Sequence, residues 1–262
     1  MATALNKDLR RIIDARHHDP FAILGRHIHG NKERVTLFLP GAVRALIEET
    51  GAELTRLNTT DLFVWEGAVD EQPDRYRVRA TYAGGAEHCT YDPYCFPAVL
   101  EDFDLHLFGE GGHYHAYRFL GAHPCSVDGV EGVVFAVWAP NAERVSVVGN
   151  FNQWDGRRHP MRSRGTTGVW ELFIPGLTSG ELYKYEIRNR KSGAILQKTD
   201  PYAQQYELRP KTASQVKTSD DFSWSDQQWL QQRRQGDWLH KPLSIYEVHL
   251  GSWLRDESRK GG

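Results

Sequence analysis

One tryptophan stands among turn-forming residues rather than inside a strand pattern. Trp154 follows Asn150, Phe151 and Asn152 in the segment GNFNQWDGRRHPM, where a Trp has less core to fill than it would within a strand. An indole offers an apolar face to the CH groups of a sugar ring and one N–H donor. Two roles therefore stay open for Trp154, namely stacking on a sugar and packing against a neighbouring domain.

Other His and Asp residues are of types that could bind a metal or act in catalysis, but they do not lie in clusters that would support either role. His113 and His115 have a spacing that two zinc ligands on a strand could use, but no Cys or carboxylate cluster accompanies them. We expect surface or hydrogen-bonded histidines. Asp92 and Asp200 each precede a proline, where an Asp commonly fixes a turn through the backbone. The sequence predicts no metal site and no cofactor.

The bulk composition narrows the class of partner. The 262 residues carry a formal net charge of -2, and 11% of them are aromatic. Such a balance lacks the electrostatic footprint of a nucleic-acid binder or a polybasic membrane binder. No stretch approaches the roughly 20 apolar residues of a membrane span. A neutral partner is expected, and flat aromatic faces suit sugars among other ligands.

The cysteines and the N-terminus indicate a cytoplasmic setting. Cys89, Cys95 and Cys125 make an odd count without paired spacing, and MATALNKDLRRIIDARHH has no apolar run of the kind a signal peptide needs. A reducing cytoplasm is the default expectation.

The elements that would position Trp154 are mostly strands. A short amphipathic helix is predicted over residues 5–16. Runs rich in Val, Thr, Leu and aromatics then recur about every ten residues between turn signals, as is typical of a β-sandwich. The runs are 34–39, 42–48, 62–66 and 76–82, and then 133–138, 144–148, 169–174, 182–189 and 194–197. Trp138 and Trp170 lie within apolar alternations and are expected in the core, and Trp65 is expected to behave like Trp170.

Short matches between the two sets of strands indicate duplication. LGRH at 24–27 recurs as LGAH at 120–123, and DPY at 92–94 recurs at 200–202. The offset grows steadily along the chain, as small loop insertions in one of two copies would produce. The first copy has no counterpart of GNFNQW, so sugar contact is expected only in the second.

The domain plan follows from these patterns. We predict two tandem immunoglobulin-like β-sandwich modules over residues 1–107 and 108–224, linked by short helical pieces over 98–119. The last part, 225–262, is predicted to hold a helix from Asp226 to Gly236 and then a strand over 243–250. That strand belongs to neither sandwich.

Three segments carry a resemblance to a known family: HHDPFAILGRH, FAVWAPNAERVSVVGNFNQWDGRRHPM and SIYEVHLGSW. On these the chain resembles bacterial 1,4-α-glucan branching enzymes over essentially its full length, and the WAPNA and GNFNQW pair resembles carbohydrate-binding modules of family 48. The resemblance implies a parent enzyme that cleaves an α-1,4 glucan chain and transfers the piece to a 6-hydroxyl by retaining chemistry. SIYEVHLGSW would then be the first strand of an incomplete catalytic (β/α)₈ barrel.

The resemblance also assigns roles to residues. Trp154 and Lys184, in LYKYEI, match positions that help hold glucan in some of these modules, so glycogen or linear α-1,4 glucan is the implied partner. For Lys184 a solvated charge on an edge strand is the alternative. A second binding Trp of related modules is missing, since Ser192-Gly193-Ala194 stands there.

The resemblance places the catalytic carboxylates on later barrel strands. No catalytic residue is therefore expected in this chain, which would be inactive without the missing barrel as its partner. Glu247 and His249 would share one face of the first barrel strand and are expected to be structural. Two alternatives remain: a stand-alone glycogen-binding or regulatory module, and the front end of a debranching or trehalose-forming relative.

Overall fold

A computed structural model of the chain describes residues 5–217, 223–237 and 239–249. The chain divides into two compact units, Met1–Thr218 and Ser219–Gly262. The first unit is built almost wholly from antiparallel strands, which form one curled seven-stranded sheet in the first module and two sheets in the second. The mainly β fold class predicted from the sequence is confirmed.

The first module begins with a short helix, α1 (Lys7–Ile13), which the Oδ1 of Asn6 caps by accepting a 2.8 Å hydrogen bond from Leu9 N. Seven strands follow: β1 (Gly25–His29), β2 (Lys32–Phe38), β3 (Ala42–Ile47), β4 (Glu53–Arg56), β5 (Leu62–Ala68), β6 (Arg77–Tyr82) and β7 (Glu87–Tyr91). Their order in the sheet is β1-β2-β5-β4-β3-β6-β7. Side chains of β2, β3, β5 and β6 form one core, which includes Val35, Leu37, Ile47, Phe63 and Val78.

A helical linker joins the modules, as predicted. Helix α2 (Asp102–Gly109) and a 3₁₀ turn (Ala116–Arg118) carry apolar side chains onto the outer face of the second module. The cluster formed there includes Phe96, Leu105, Leu120 and Phe173. The linker is therefore packed against the sandwich that it precedes.

The second module is a sandwich of two sheets. Its strands are β8 (Gly121–Val127), β9 (Val130–Trp138), β10 (Ala142–Gly149), β11 (Arg162–Ser163), β12 (Val169–Pro175), β13 (Leu182–Asn189), β14 (Ile195–Lys198), β15 (Gln205–Tyr206) and β16 (Ser214–Gln215). One sheet runs β11-β12-β9-β8 and the other β10-β13-β16-β15, with β14 also pairing with β13. Phe135, Val145, Val147, Leu172 and Tyr185 belong to the core between them.

The two modules repeat each other in atomic detail. His27 Nε2 lies 2.9 Å from the carbonyl oxygen of Leu24, and His123 Nε2 lies 2.9 Å from that of Leu120. The ladders β3·β6 and β10·β13 each shift register just after the first residue of β3 and of β10. The duplication inferred from sequence matches therefore extends to the backbone. The exact boundaries at 107 and 224 stay predictions.

The three tryptophans assigned to the core differ in how far they are buried. Trp170 is only 2% exposed, as expected, and Trp65 is half-buried against the first core. Trp138 is 55% exposed, so the expectation that it is a core residue was wrong. Trp138 lies on the face of the sheet that is turned towards the linker. It pairs across the sheet with Val169, whose side chain packs under the linker rather than in the module core.

The second unit holds a helix, α3 (Gln227–Gln235), with Asp226 and Gly236 as its cap residues, as predicted. Residues 243–249 form no strand, and Leu243 and Ile245 are exposed there. A strand is a paired element, and none of the described strands pairs with this segment. Position 250 lies outside the described residues. Within the described ranges, no helix has both the length and the apolar character needed to cross a membrane.

Candidate functional site

The turn that carries Trp154 connects β10 to the segment that follows it. We call residues 149–154 the Trp154 turn. Gly149 opens it in extended conformation, and a side chain there would collide with the carbonyl oxygen of Leu182 and the ring of Phe151. Phe151 packs against the core of the module. The glycine is needed because two parts of the chain approach each other closely at this point.

Asn152 fixes the conformation of the Trp154 turn. Its side chain is 2% exposed, and Oδ1 accepts a 2.9 Å hydrogen bond from Gly149 N. Its Nδ2 donates to the carbonyl oxygen of Val147 at 2.8 Å and to His159 Nδ1 at 2.8 Å. A buried amide with this many partners holds one backbone path strongly, because any other path would leave polar atoms unpaired.

The last two residues of the turn adopt an unusual backbone. Gln153 and Trp154 have φ angles of 59° and 60°, which is the left-handed region that non-glycine residues rarely occupy. Trp154 is partly exposed, and its Nε1 donates a 2.9 Å hydrogen bond to Asn150 Oδ1. The indole is thus held by its polar edge, which leaves its flat face as the part that a ligand could contact.

The segment after Trp154 is anchored by a buried ion pair. Arg144 is 1% exposed and donates to the carbonyl oxygen of Gly156 at 2.8 Å and to Glu186 Oε1 at 2.6 Å. Burial makes such a pair costly to break, since removing one partner leaves an uncompensated charge. Both sides of the Trp154 turn are therefore tied to the β10·β13 sheet.

Lys184 lies on β13, close to the Trp154 turn. It pairs across the sheet with Val148, and its neighbour Tyr183 pairs with Gly149, whose carbonyl oxygen accepts from Trp154 N at 2.9 Å. Lys184 Nζ donates a 2.7 Å hydrogen bond to Thr212 Oγ1. An ammonium has three donors, so two remain beyond this contact.

The alternative that Lys184 is an edge-strand charge was wrong. Strand β13 pairs with β10 along one ladder and with β14 and β16 along others, so it is a central strand. A lysine on a central strand has no edge to protect. The contact with Thr212, and that of Trp154 with Asn150, were not foreseen. Only Asn150 left a sequence signal, because it lies four residues before Trp154 in the same turn.

The remaining candidate residues are engaged in structural contacts. His113 Nε2 lies 2.8 Å from Asp104 Oδ1, in line with the expected hydrogen-bonded histidine. Asp92 Oδ1 accepts from Tyr94 N at 3.1 Å and Asp200 Oδ1 from Tyr202 N at 2.8 Å, which confirms their predicted role in fixing turns.

The buried carboxylates of the described residues share this structural character. Each accepts a hydrogen bond from an Arg or Tyr side chain and another from a backbone N–H. These carboxylates are Glu33, Asp92, Glu171 and Asp200. None of the four is arranged as a free acid or base.

Comparison with known proteins assigns both modules. Residues 5–94 match the family model described as "alpha-1,4-glucan branching enzyme GlgB, N-terminal domain". Residues 119–203 match "Carbohydrate-binding module 48 (Isoamylase N-terminal domain)". The chain carries a GlgB N-terminal domain followed by a module 48. The Trp154 turn and Lys184 both fall within the module 48, and the resemblance drawn from WAPNA and GNFNQW is confirmed.

Curated relatives extend the likeness across nearly the whole chain. The 1,4-alpha-glucan branching enzyme GlgB of Methylococcus capsulatus is 54% identical over 96% of this chain and 34% of its own length. The GlgB enzymes of Nitrosococcus oceani and Cellvibrio japonicus are 52% and 51% identical, over 98% and 96% of this chain and 35% of their own lengths. The GlgB N-terminal domain and the module 48 thus lie in a chain that spans about a third of the length of the relatives it matches.

Solved structures are less similar to this chain than the curated relatives are. A pullulanase from Bacillus subtilis, in complex with maltose, is 18% identical over 77% of this chain and 27% of its own, with a TM-score of 0.34. That level of similarity is too low to bear on function.

Proposed function

We propose that this chain binds α-1,4 glucan through its module 48, with the face of Trp154 stacking on a glucose ring and Lys184 donating to sugar hydroxyls. The observation that carries the proposal is the Trp154 turn. The buried amide of Asn152 and the buried Arg144–Glu186 pair fix the backbone around the turn, and the exposed side chain of Asn150 accepts the hydrogen bond of the indole N–H. A ring fixed in this way loses little conformational entropy when a ligand covers its face.

The backbone of the turn supports the same role. A non-glycine residue in the left-handed region costs about 1–2 kcal/mol, and Gln153 and Trp154 are both in that region. Trp154 is not among the described residues that form the core of the module, so core packing does not account for this cost. Presentation of the indole to a ligand would account for it.

The proposal for the whole enzyme is that these modules hold glucan for a branching reaction, in which an α-1,4 bond is cleaved and the piece is joined to a 6-hydroxyl. Retaining chemistry of that kind needs two carboxyl groups roughly 5–5.5 Å apart, one of them able to act as an acid and a base. We infer that the present chain supplies neither and depends on a catalytic barrel. Incubation with amylose should create no new α-1,6 linkages, and their detection by debranching and chain-length analysis would refute this.

Binding is expected to be weak. One stacked ring and a few hydrogen bonds to sugar hydroxyls should give a Kd on the order of millimolar, about 4 kcal/mol. Electrophoresis through gels with and without glycogen suits this range, because the polymer offers many sites at once. The wild-type chain should be retarded by glycogen.

Lys184→Met keeps the aliphatic stem and removes the donors, so it should reduce that retardation. Lys191→Met, at an exposed position in the turn after β13, is the matched control and should migrate like wild type. Equal retardation of the Lys184 and Lys191 variants would remove Lys184 from the proposed site.

Two other functions are separable from this one. A stand-alone module would tether another protein to glycogen, whereas a debranching or trehalose-forming enzyme would release hydrolysis or rearrangement products. The GlgB N-terminal domain at residues 5–94 supports the branching alternative. Three free thiols, Cys89, Cys95 and Cys125, support action in the reducing cytoplasm. Assay of the full-length enzyme for new α-1,6 linkages would decide, and hydrolysis alone would count against branching.

A further inference from the structure

A cavity of about 300 Å³ lies where the two sandwich modules meet within the first unit. We call it the inter-module groove and define it by Tyr82, His88 and Thr90 of the first module and Phe151, Gln153 and Leu177 of the second. Its volume stands at the lower end of the roughly 300–1,000 Å³ of known ligand pockets, which occur preferentially at domain interfaces.

Contacts that span the modules fix the two walls of the groove. Arg158 donates to the carbonyl oxygen of Pro40 at 3.0 Å and to the hydroxyl of Tyr82 at 3.1 Å, and its guanidinium lies 5.5 Å from the centre of the Tyr82 ring. Tyr94 donates its hydroxyl to the carbonyl oxygen of Pro160 at 3.2 Å. Because both walls of the groove are already fixed, ligand binding requires no rearrangement of the modules.

The lining combines rings with unused polar groups. Tyr82 and Phe151 are half-buried, so part of each ring remains accessible from the groove. His88, Thr90 and Gln153 are exposed, and no hydrogen bond joins their side chains to any other described residue. Apolar surface next to donors and acceptors is the pattern that a sugar, with its CH faces and hydroxyl rim, would match.

The charges of the groove favour a neutral ligand. One carboxyl group and one guanidinium line it, those of Asp92 and Arg158. Asp92 is 5% exposed and accepts hydrogen bonds from Tyr76 and from Tyr94 N, while Arg158 is committed to Pro40 and Tyr82. The Asp92 carboxylate is thus buried among its own donors, and the Arg158 guanidinium has Asp155 Oδ2, 3.9 Å from its Nε, as a counter-charge.

We propose that the inter-module groove is a second glucan site, which takes a short α-1,4-linked oligosaccharide and is separate from the face of Trp154. The identity of the ligand rests on the proposed function; the existence of the site rests on the groove itself. Gln153 lines the groove and is followed directly by Trp154, both in left-handed backbone, so one rigid turn belongs to both sites. The first module thereby acquires a role in binding that its own surface turns did not predict.

Site-resolved NMR with maltotriose as the probe tests this on the whole chain. Leu39 and Leu177 line opposite walls of the groove and carry methyl groups, whereas the indole N–H of Trp154 reports on the turn. We expect the Leu39 and Leu177 methyl signals to move along a saturating curve and to keep doing so in Trp154→Ala. Movement of the Trp154 indole signal alone would overturn the groove and leave the proposed function intact.

The two other outcomes are equally distinct. Movement of the methyl signals with a static Trp154 indole signal would support the groove and remove Trp154 from the proposed function. Static signals at all three positions would overturn both proposals.

A pair of neighbouring substitutions adds a matched control. Thr90 and Cys89 are adjacent, exposed residues of β7 whose side chains point to opposite faces, and only Thr90 lines the groove. Thr90→Trp should cover the groove and weaken its Kd for maltotriose about tenfold or more, an effect of at least 1.4 kcal/mol. Cys89→Trp should leave the Kd unchanged. Equal Kd values for the two variants would overturn the groove as the site.

Discussion

The hydroxyl of Tyr76 donates a 2.6 Å hydrogen bond to Oδ2 of Asp92, and both side chains are buried. The second module repeats this bond at 2.6 Å between Tyr183 and Asp200. In each case the Asp also fixes the turn at the following Pro-Tyr pair. A shared clamp of this kind ties a strand of the sandwich to the chain that leaves it, which explains why the DPY sequence is present in both modules.

The two clamps should differ in how much they stabilise the protein. Tyr76→Phe removes the one side-chain donor that the structure gives Asp92, whereas Asp200 keeps Tyr185 as a second donor at 3.3 Å after Tyr183→Phe. We expect a loss of about 2–3 kcal/mol in the free energy of unfolding for Tyr76→Phe and about 1 kcal/mol for Tyr183→Phe. Urea denaturation at pH 7 measures both. A larger loss for Tyr183→Phe would contradict the comparison.

Asp92 should make the protein more stable in mild acid. Burial raises the pKa of its carboxyl from 3.8 to about 6, so the folded state holds a proton that the unfolded chain has released. The resulting stabilisation is complete below about pH 4 and is lost as pH rises through 6. Relative to Asp92→Asn, the wild type should therefore lose about 2–3 kcal/mol between pH 4 and 6.5. A difference that stays constant over this range would show that the carboxyl is not perturbed.

His159 should produce the opposite slope. Desolvation by burial lowers the pKa of its imidazole from 6.5 to about 4, so the folded state stays neutral where the unfolded chain takes up a proton. This stabilisation is present above pH 6.5 and is lost as pH falls towards 4. His159→Asn retains an acceptor for Asn152. Against it, the wild type should gain about 1–2 kcal/mol between pH 4 and 6.5, after allowance for partial solvent exposure of the ring.

Asp92 and His159 change the free energy of unfolding in opposite directions over the same pH range. The pH dependence of wild-type stability alone would therefore hide both contributions. Denaturation of the two variants in the same buffers separates them. Slopes of the same sign would contradict one of the two assignments.

The adjacent residues Arg157 and Arg158 should contribute unequally to the packing of the two modules against each other. Arg158 bonds to Pro40 and Tyr82 of the first module, while Arg157 pairs with Asp155 two residues away at an exposed position. Arg158→Ala should lower the free energy of unfolding by about 1–3 kcal/mol, because Tyr82 and Pro40 lose a charged donor. Arg157→Ala should change it by less than about 0.5 kcal/mol.

Thermal denaturation of the two variants measures the difference. Equal stabilities would mean that Arg158 does not hold the modules together. A large loss for Arg157→Ala would point instead to its local pair with Asp155.

The strands that the sequence predicted have an apolar face, except for β14, which is exposed at all four of its positions. The missed strands are β1, β4, β7, β8, β11, β15 and β16. Of these, β7 is exposed at four of its five positions, so no alternation of burial marks it. Trp138 was misassigned for the converse reason. Strand β9 is buried on both faces, with Phe135 in the module core and Val134 under the linker, so an apolar run did not reveal on which side Trp138 falls.

The candidate site was only partly accessible from sequence. Trp154 could be found because turn residues precede it, and Lys184 through the resemblance. The inter-module groove could not be found, since Thr90 and Gln153 belong to different modules and line one cavity only where those modules pack together. Nothing in the local sequence of either residue encodes that arrangement.

Calorimetric titration of the chain with maltoheptaose, comparing wild type, Trp154→Ala and Trp138→Ala, measures directly whether the indole of Trp154 binds glucan. Alanine at position 154 faces the same left-handed strain as Trp, and Trp138 is an exposed indole outside the turn. We expect Trp154→Ala to weaken binding at the face of residue 154 about tenfold, about 1.4 kcal/mol, with binding at the inter-module groove retained, while Trp138→Ala binds like wild type. Unchanged affinity in Trp154→Ala would contradict this expectation.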